Sequence, residues 1–334
     1  LGFGVASIGM TLTAWAVVAR SFGWILVGST LFGMGRGASE QARYVAAEVQ
    51  PPAQRAKVIG LIVFAGTIGA VGGPLLVAPS ETAAARVGIE AVMAGPFVLS
   101  ALLTLLGFLF VFGGLRPDPK TLSWETAAAP DDAAAAETAV PLRQLFARPA
   151  VLLALASMTI GQLVMTLIMV ITPLHMNHLN HATESVSLVI MAHTLGMFGL
   201  STGTGWLIDR YGRVVMIIAG AALLILSSIM APFAAGVPML AVALFILGLG
   251  WNFCFVAGSS LLSDALAGPE KGRVQGASEV IVALSSGAGS LGTGSVFASG
   301  GMLAVGGVGL AFTLLLFAIL AWSSWARRPT LSQV

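Results

Sequence analysis

Ten long, mostly apolar stretches follow one another along this chain, at 1–19, 22–46, 56–79, 91–115, 150–173, 186–208, 213–233, 237–263, 274–297 and 301–326. The hydrocarbon core of a bilayer is about 30 Å thick, and an α-helix needs about 20 residues to cross it. Backbone polar groups find no water there, so only helices and closed barrels can span. These runs are too long for barrel strands and do not alternate apolar with polar residues. The expected fold class is therefore an all-α polytopic membrane protein. Composition supports this. Only 9% of residues are charged and 57% are hydrophobic, against roughly 25% charged in an average soluble domain. Such a chain cannot coat a water-facing surface. Its 41 glycines suit membrane helices, where small residues let backbones approach.

One connection is long. Residues 116–149 are rich in Ala, Pro and acid and read as a hydrated linker between an N-terminal bundle, 1–115, and a C-terminal bundle, 150–334. Near its end, Leu142, Leu145 and Phe146 fall at helical spacing beside Arg143 and Arg148. This is either a short interfacial helix or plain linker.

Orientation follows from the basic residues. With residue 1 inside, twelve Lys and Arg fall in the inner connections and tail: Arg55, Lys57, Arg116, Lys120, Arg143, Arg148, Arg210, Arg213, Lys271, Arg273, Arg327 and Arg328. Only Arg20 and Arg86 fall outside, while Arg36 and Arg43 lie within a span. The positive-inside rule then places the linker and C-terminus in the cytoplasm, in the plasma (inner) membrane of the cell. It also accounts for a pI near 9.0 without invoking nucleic acid. The chain opens at Leu1 with no charged segment or cleavage site before it. No signal peptide is expected, and the true N-terminus is expected to be missing.

There is an internal repeat. "GMGRGASEQARYVAAEVQPPAQRAKVIG" (33–60) parallels "GLGWNFCFVAGSSLLSDALAGPEKGRVQG" (248–276). Each runs from a Gly-x-Gly helix through a Pro-containing basic turn into a Gly-bearing helix. Repeated halves are typical of secondary transporters, whose sites lie where the repeats meet.

A short turn carries three charges in five residues. "GWLIDRYGR" (205–213) places Gly205, Asp209, Arg210, Gly212 and Arg213 between two apolar runs. Glycines permit close packing and a tight turn, and Asp209 can meet a helix N-terminus, Arg210 or Arg213. The pattern Gly-x-Leu-x-Asp-Arg-x-Gly-Arg resembles the gating-loop signature of the major facilitator superfamily. Ile208 and Val214 stand where that signature has a small and a basic residue. On 56–79, Gly60, Gly69, Gly73 and Pro74 resemble the fifth-helix signature of the family's drug:proton antiporter branch, although Val77 and Ala78 replace its final glycines. Generic packing of small residues is the alternative. The resemblance implies two six-helix bundles around a central cavity, with about ten of twelve helices present and the first two absent. A natural ten-helix protein is the other reading.

Ionisable groups at membrane depth are costly and mark function or structural pairing. Arg36, Glu40 and Arg43 can meet on one helix face. Glu279 lies a quarter of the way into its span, where it either carries a proton or pairs with Lys271 and Arg273. His175, His178 and His181 repeat every third residue, open to a metal, to proton sensing or to a polar rim. His193 is expected to be buried and is the best proton candidate of the four. Met158, Gln162, Met165 and Met169 share a helix face, and Trp251, Asn252, Phe253 and Phe255 cluster on 237–263. In the family the helices equivalent to 22–46, 150–173 and 237–263 line the cavity. These residues are therefore expected either in an adaptable, largely apolar cavity or in the bundle core.

No P-loop, Gly-x-Ser-x-Gly or metalloprotease helix is present, and Cys254 is the single cysteine, so no enzyme activity, metal or cofactor is expected. The leading expectation is alternating-access, proton-coupled export of small apolar, drug-like compounds. Arg36, Glu40, Arg43, His193 and Glu279 are the coupling set and 205–213 is a gate. The protein is expected to work as a monomer, with a small-molecule substrate, protons and lipid as its partners. The alternatives are an importer of a metabolite, or a non-transporting sensor or fragment.

Overall fold

The computed structural model describes residues 1–89, 91–116, 140–181, 183–234, 236–266 and 270–326. Most of the central connection, including Lys120, lies outside them, as do Arg327, Arg328 and the side chain of Pro74. The described residues are helical from end to end: α1 (Gly2–Val18), α2 (Phe22–Glu40), α3 (Ala42–Glu48), α4 (Arg55–Arg86), α5 (Gly95–Gly114), α6 (Leu142–Phe146), α7 (Pro149–His178), α8 (Thr183–Thr194), α9 (Ser201–Tyr211), α10 (Arg213–Met230), α11 (Val237–Asp264) and α12 (Glu270–Ala326). The architecture is that of an all-α polytopic membrane protein.

Local chemistry sets several boundaries. Proline stands in the first turn of α5, α7 and α11, where its missing N–H is no loss. Gly212 separates α9 from α10 with φ 95°, a conformation that favours glycine. Over the run 22–46 the regular helical hydrogen bonding is interrupted at Gln41, between α2 and α3, while its φ −66° and ψ −19° stay helical. The run 186–208 is broken: residues Leu195–Gly199 form a π-helical turn between α8 and α9, and the pair bends by 41°. α12 is two apolar rods kinked at Gly300 and Gly301. α4 is one helix through the position of Pro74 and continues seven residues past the expected end at 79.

Five of the described helices are long and apolar enough to cross a membrane, or six if the bent pair counts as one. α1 falls short at 17 residues. Helices α7, α10 and α11 supply the main core through Leu153, Ile160, Val164, Ile217, Leu224, Leu244 and Val256. A second, smaller cluster gathers Tyr44, Leu145, Val151, Leu262, Leu266 and Val274. Leu145 of α6 is fully buried in it, so the 142–146 helix rests on protein. The outward faces keep Leu106, Phe110 and Leu291 exposed, as a surface solvated by lipid does.

Candidate functional site

Charged residues gather at one end of the bundle, where helices that precede the central connection meet helices that follow it. At this charged end Asp209, at the close of α9, caps the start of α4: the Lys57 backbone N–H donates to its Oδ2 at 2.9 Å. A carboxylate at a helix N-terminus meets unsatisfied N–H groups and the positive end of the dipole. Arg213 holds the same carboxylate at 3.3 Å, bonds Asp264 at 3.0 Å and donates to the Pro52 carbonyl at 2.9 Å. Arg55 joins Asp264 from the other side at 3.2 Å, and Lys271 meets Glu48 at 3.7 Å. Arg210 takes no part. Its guanidinium lies over the rings of Trp206 and Tyr211, which removes it from the partners open to Asp209 in the sequence.

The two glycines that permit this contact belong to different motifs. A Cβ on Gly205 would sit 2.5 Å from the Ala56 carbonyl oxygen, and one on Gly60 would collide with the Ser201 carbonyl. α4 and α9 therefore cross backbone to backbone, and a side chain at either glycine would push them apart. Gly69 and Gly73 have open space around them instead, so only Gly60 of that helical pattern has a packing reason here.

A second charged cluster lies deeper. Arg43, on α3, points inward, and its side chain is 1% exposed. Its guanidinium pairs with Glu40 at 3.0 Å and with Glu279 of α12. It also donates to Ser259 of α11 and to the Tyr44 hydroxyl, both at 3.3 Å, and faces the rings of Tyr44 and Phe255. The Tyr44 hydroxyl donates to Glu279 at 3.3 Å. Glu279 thus pairs across the two parts of the chain with Arg43. It does not pair with Lys271 or Arg273: Lys271 is held by Glu48, and Arg273 bonds the Val140 carbonyl.

Directly above is a cavity of about 580 Å³, within the range usual for small-molecule sites. Arg36, Glu40, Arg43 and Glu279 form its polar floor and one side; Ile62, Val63, Met165, Phe198, Trp251 and Phe255 form an apolar and aromatic wall. The expected apolar cavity is therefore strongly two-sided. Trp251 stacks on Phe255 at 4.6 Å, with Phe198 edge-on at 5.8 Å. Gln162 orients the indole by accepting its N–H at 2.8 Å, while its own amide N–H groups bond Ser286 at 3.2 Å and Thr166 at 3.4 Å.

Several expected cavity residues lie elsewhere. Met169 packs against the core and is not in the cavity wall. Asn252 is fully buried, donating to the Met197 carbonyl and the Ser201 hydroxyl, where it braces the π-helical turn. Met158 is buried beneath the floor against Tyr44 and Ser259. His193 is buried, with Nδ1–H donating to the Leu244 carbonyl at 2.9 Å, and does not reach the cavity. His175 and His178 flank the ring of Phe297, and no metal-sized group of His, Cys, Asp or Glu occurs among the described residues. Tyr44, Ser259, Asp264 and Ser286 were not singled out in the sequence, and Arg55 only as one of the inner basic residues. The available signal was the repeat: Tyr44 and Arg55 lie in 33–60, and Ser259 and Asp264 in its copy at 248–276.

Comparison with known proteins places this architecture. Residues 1–183 and 153–334 match the Major Facilitator Superfamily. The MFS-type transporter YdeG of Bacillus subtilis (strain 168) is 32% identical over 324 residues, covering 96% of this chain and 75% of that protein. YddS of the same organism is 31% identical, with 96% and 74% covered. The riboflavin transporter RfnT of Brucella anthropi is 28% identical over 286 residues, with 84% and 68% covered. Among solved structures, the human organic anion transporter MFSD10 superposes with a TM-score of 0.70 at 19% identity, covering 95% of this chain and 76% of that one. The E. coli fucose:proton symporter FucP gives 0.60 at 15% identity, with 98% and 83% covered; at such identities the likeness concerns the fold. The chain belongs to the Major Facilitator Superfamily of multi-pass membrane transporters.

Proposed function

We propose that protons drive this transporter, with Glu279 carrying the coupled proton and Arg43 as the partner it releases. The observation that supports this most is the Arg43–Glu279–Tyr44 bridge. It joins the part of the chain before the central connection to the part after it, at the floor of the cavity, with Arg43 and Tyr44 buried and Glu279 13% exposed. A protonated Glu279 loses its charge attraction to Arg43, and the floor then has one bond fewer holding the halves together. By the positive-inside rule the charged end faces the cytoplasm. The cavity is then sealed inward by Asp209, Arg213 and Asp264 and loads from outside. Rocking of residues 1–115 against 150–334, as a monomer in the plasma membrane, would alternate its access. Glu40, shared by Arg36 and Arg43, is the second acid of the coupling set. His193, remote from the cavity, drops out of it.

A site of this kind works in two senses. A substrate that displaces the proton is exported in exchange for it, which is the sense suggested by Gly60, Gly69, Gly73 and Pro74 and by the drug-like expectation. A substrate that binds with the proton is taken up. The exposed guanidinium of Arg36 favours the second sense, because it offers positive charge to the cavity.

The test is transport in proteoliposomes with an imposed pH gradient. The Glu279→Gln protein is expected to lose gradient-driven accumulation while retaining exchange of substrate across the membrane. Accumulation that still follows the pH gradient in Glu279→Gln would sink the assignment.

A further inference from the structure

Four charged side chains line the cavity: Arg36, Arg43, Glu40 and Glu279. Arg43 is saturated by Glu40, Glu279, Tyr44 and Ser259. Arg36 is not. Its side chain is 72% exposed, and its one ionic contact among the described residues is Glu40 at 3.7 Å. Glu40 is already committed to Arg43 at 3.0 Å. Arg36 therefore presents a guanidinium with unused donors to a cavity whose other lining is mostly apolar, with Ile62, Val63, Met165 and Val282 beside the uncharged polar Gln162 and Ser286. A guanidinium offers a planar fork of donors that matches carboxylate, sulfonate or phosphate oxygens.

Charge balance extends the argument. With both glutamates ionised, the two arginines and two glutamates cancel. A proton on Glu279 leaves one uncompensated positive charge, which falls on the exposed Arg36 because Arg43 keeps Glu40. An anion at Arg36 restores neutrality; a cation would worsen the imbalance. The charged or titratable groups facing Glu279 are Arg43 and Tyr44 from α3 and Glu40 from α2. α11 adds only the Ser259 hydroxyl on Arg43, and α7 the Met158 sulfur on Tyr44.

We infer that the substrate is a small organic anion with an apolar body, its acid group on Arg36, bound together with a proton on Glu279. This rests on Glu279 as the proton carrier and deepens it by fixing the charge of the cargo. It also fixes the sense of coupling, because anion and proton travel in the same direction.

The experiment is calorimetric binding to the purified protein of three matched probes: 1-naphthoate, the neutral 1-naphthamide and the cation 1-naphthylmethylammonium. Each is titrated at pH 5.5 and 7.5 in two buffers of different ionisation heat, which counts the protons exchanged. The expected result is preference for naphthoate, proton uptake on binding and about tenfold tighter binding at the lower pH. Arg36→Gln should weaken naphthoate about tenfold and Arg36→Lys should restore part of it. The Arg36 side chain is largely exposed, so neither variant threatens the fold. Preference for the cation or the amide, or binding of none of the three, overturns the inference. Naphthoate binding that is unchanged by pH and by Glu279→Gln overturns the co-bound proton while leaving the anion site standing. Cation binding that still depends on Glu279 leaves the proton carrier standing and removes the anion.

Discussion

Two clusters of arginine and carboxylate join the same parts of this molecule, and they differ mainly in how deeply the shared arginine is buried: Arg43 is 1% exposed and Arg213 17%. At the charged end Asp209, Arg213 and Asp264 have side chains 13–27% exposed and lean on backbone groups at Lys57 and Pro52. At the cavity floor Arg43 spends every donor on Glu40, Glu279, Tyr44 and Ser259, while Glu279 and Glu40 keep 13% and 40% of their side chains exposed to the cavity. Partly hydrated pairs exchange water for partner at small net gain. Dry pairs are stable only while every member stays charged and present. The same chemistry thus makes a latch at one level and a charge-sensitive bolt at the other.

Removing the buried arginine should cost most. Arg43→Met strips Glu279 of its cation and leaves Glu40 with Arg36 alone, and is expected to destabilise by about 3–5 kcal/mol and to abolish transport. Thermal unfolding in detergent and uptake assays check both. Adding Glu279→Met should recover much of the stability but none of the coupling. If the double variant is as unstable as the single one, burial is not what separates the clusters.

Next in size is the α4–α9 crossing. Gly205→Val forces a side chain against Ala56 and Lys57 and should cost about 1–3 kcal/mol. The loss should appear as a charged end that no longer closes, read from cross-linking of cysteines placed on α4 and α9. Asp209→Asn keeps the shape but removes the charge from the α4 N-terminus. It should shift the closed state by about 1–2 kcal/mol, a factor of about 5–30, lowering transport without reducing membrane insertion. Full activity would remove the latch. Raising salt from 0.1 to 1 M shortens the screening length from about 10 Å to about 3 Å. That should loosen cross-linking at the charged end and leave Arg43–Glu279 unaffected. The smallest effect is expected from Arg210→Ala, within about 0.5 kcal/mol, because Arg210 stacks on Trp206 and Tyr211 away from Asp209.

The rods were legible in the sequence because a bilayer demands length and apolarity, both of which are local. Breaks inside rods were not. Around Gln41 the run 22–46 turns polar through Arg36, Ser39, Glu40 and Arg43, but polarity alone does not place the irregular turn between α2 and α3. The π-helical turn at Leu195–Gly199 escaped notice because Asn252, 55 residues from Met197, helps hold it. Asn252 and Met169 carried the right helix and spacing for the cavity. Helical periodicity names a face but not which neighbour covers it.

What the sequence determined alone is the solvent and the strategy: long apolar helices, a charged turn at Asp209–Arg213 and a handful of ionisable groups placed where they are costly. What only the tertiary structure decided is which of those groups meet. Glu279 has Lys271 and Arg273 nearby in sequence, yet Arg43, 236 positions away, is its partner. Helix packing brings α3 against α11 and α12 and carries the nearer cations elsewhere. Pairing energy falls off over a few ångströms, whereas sequence reports separation along the chain, so the partner of a buried charge is settled by the fold.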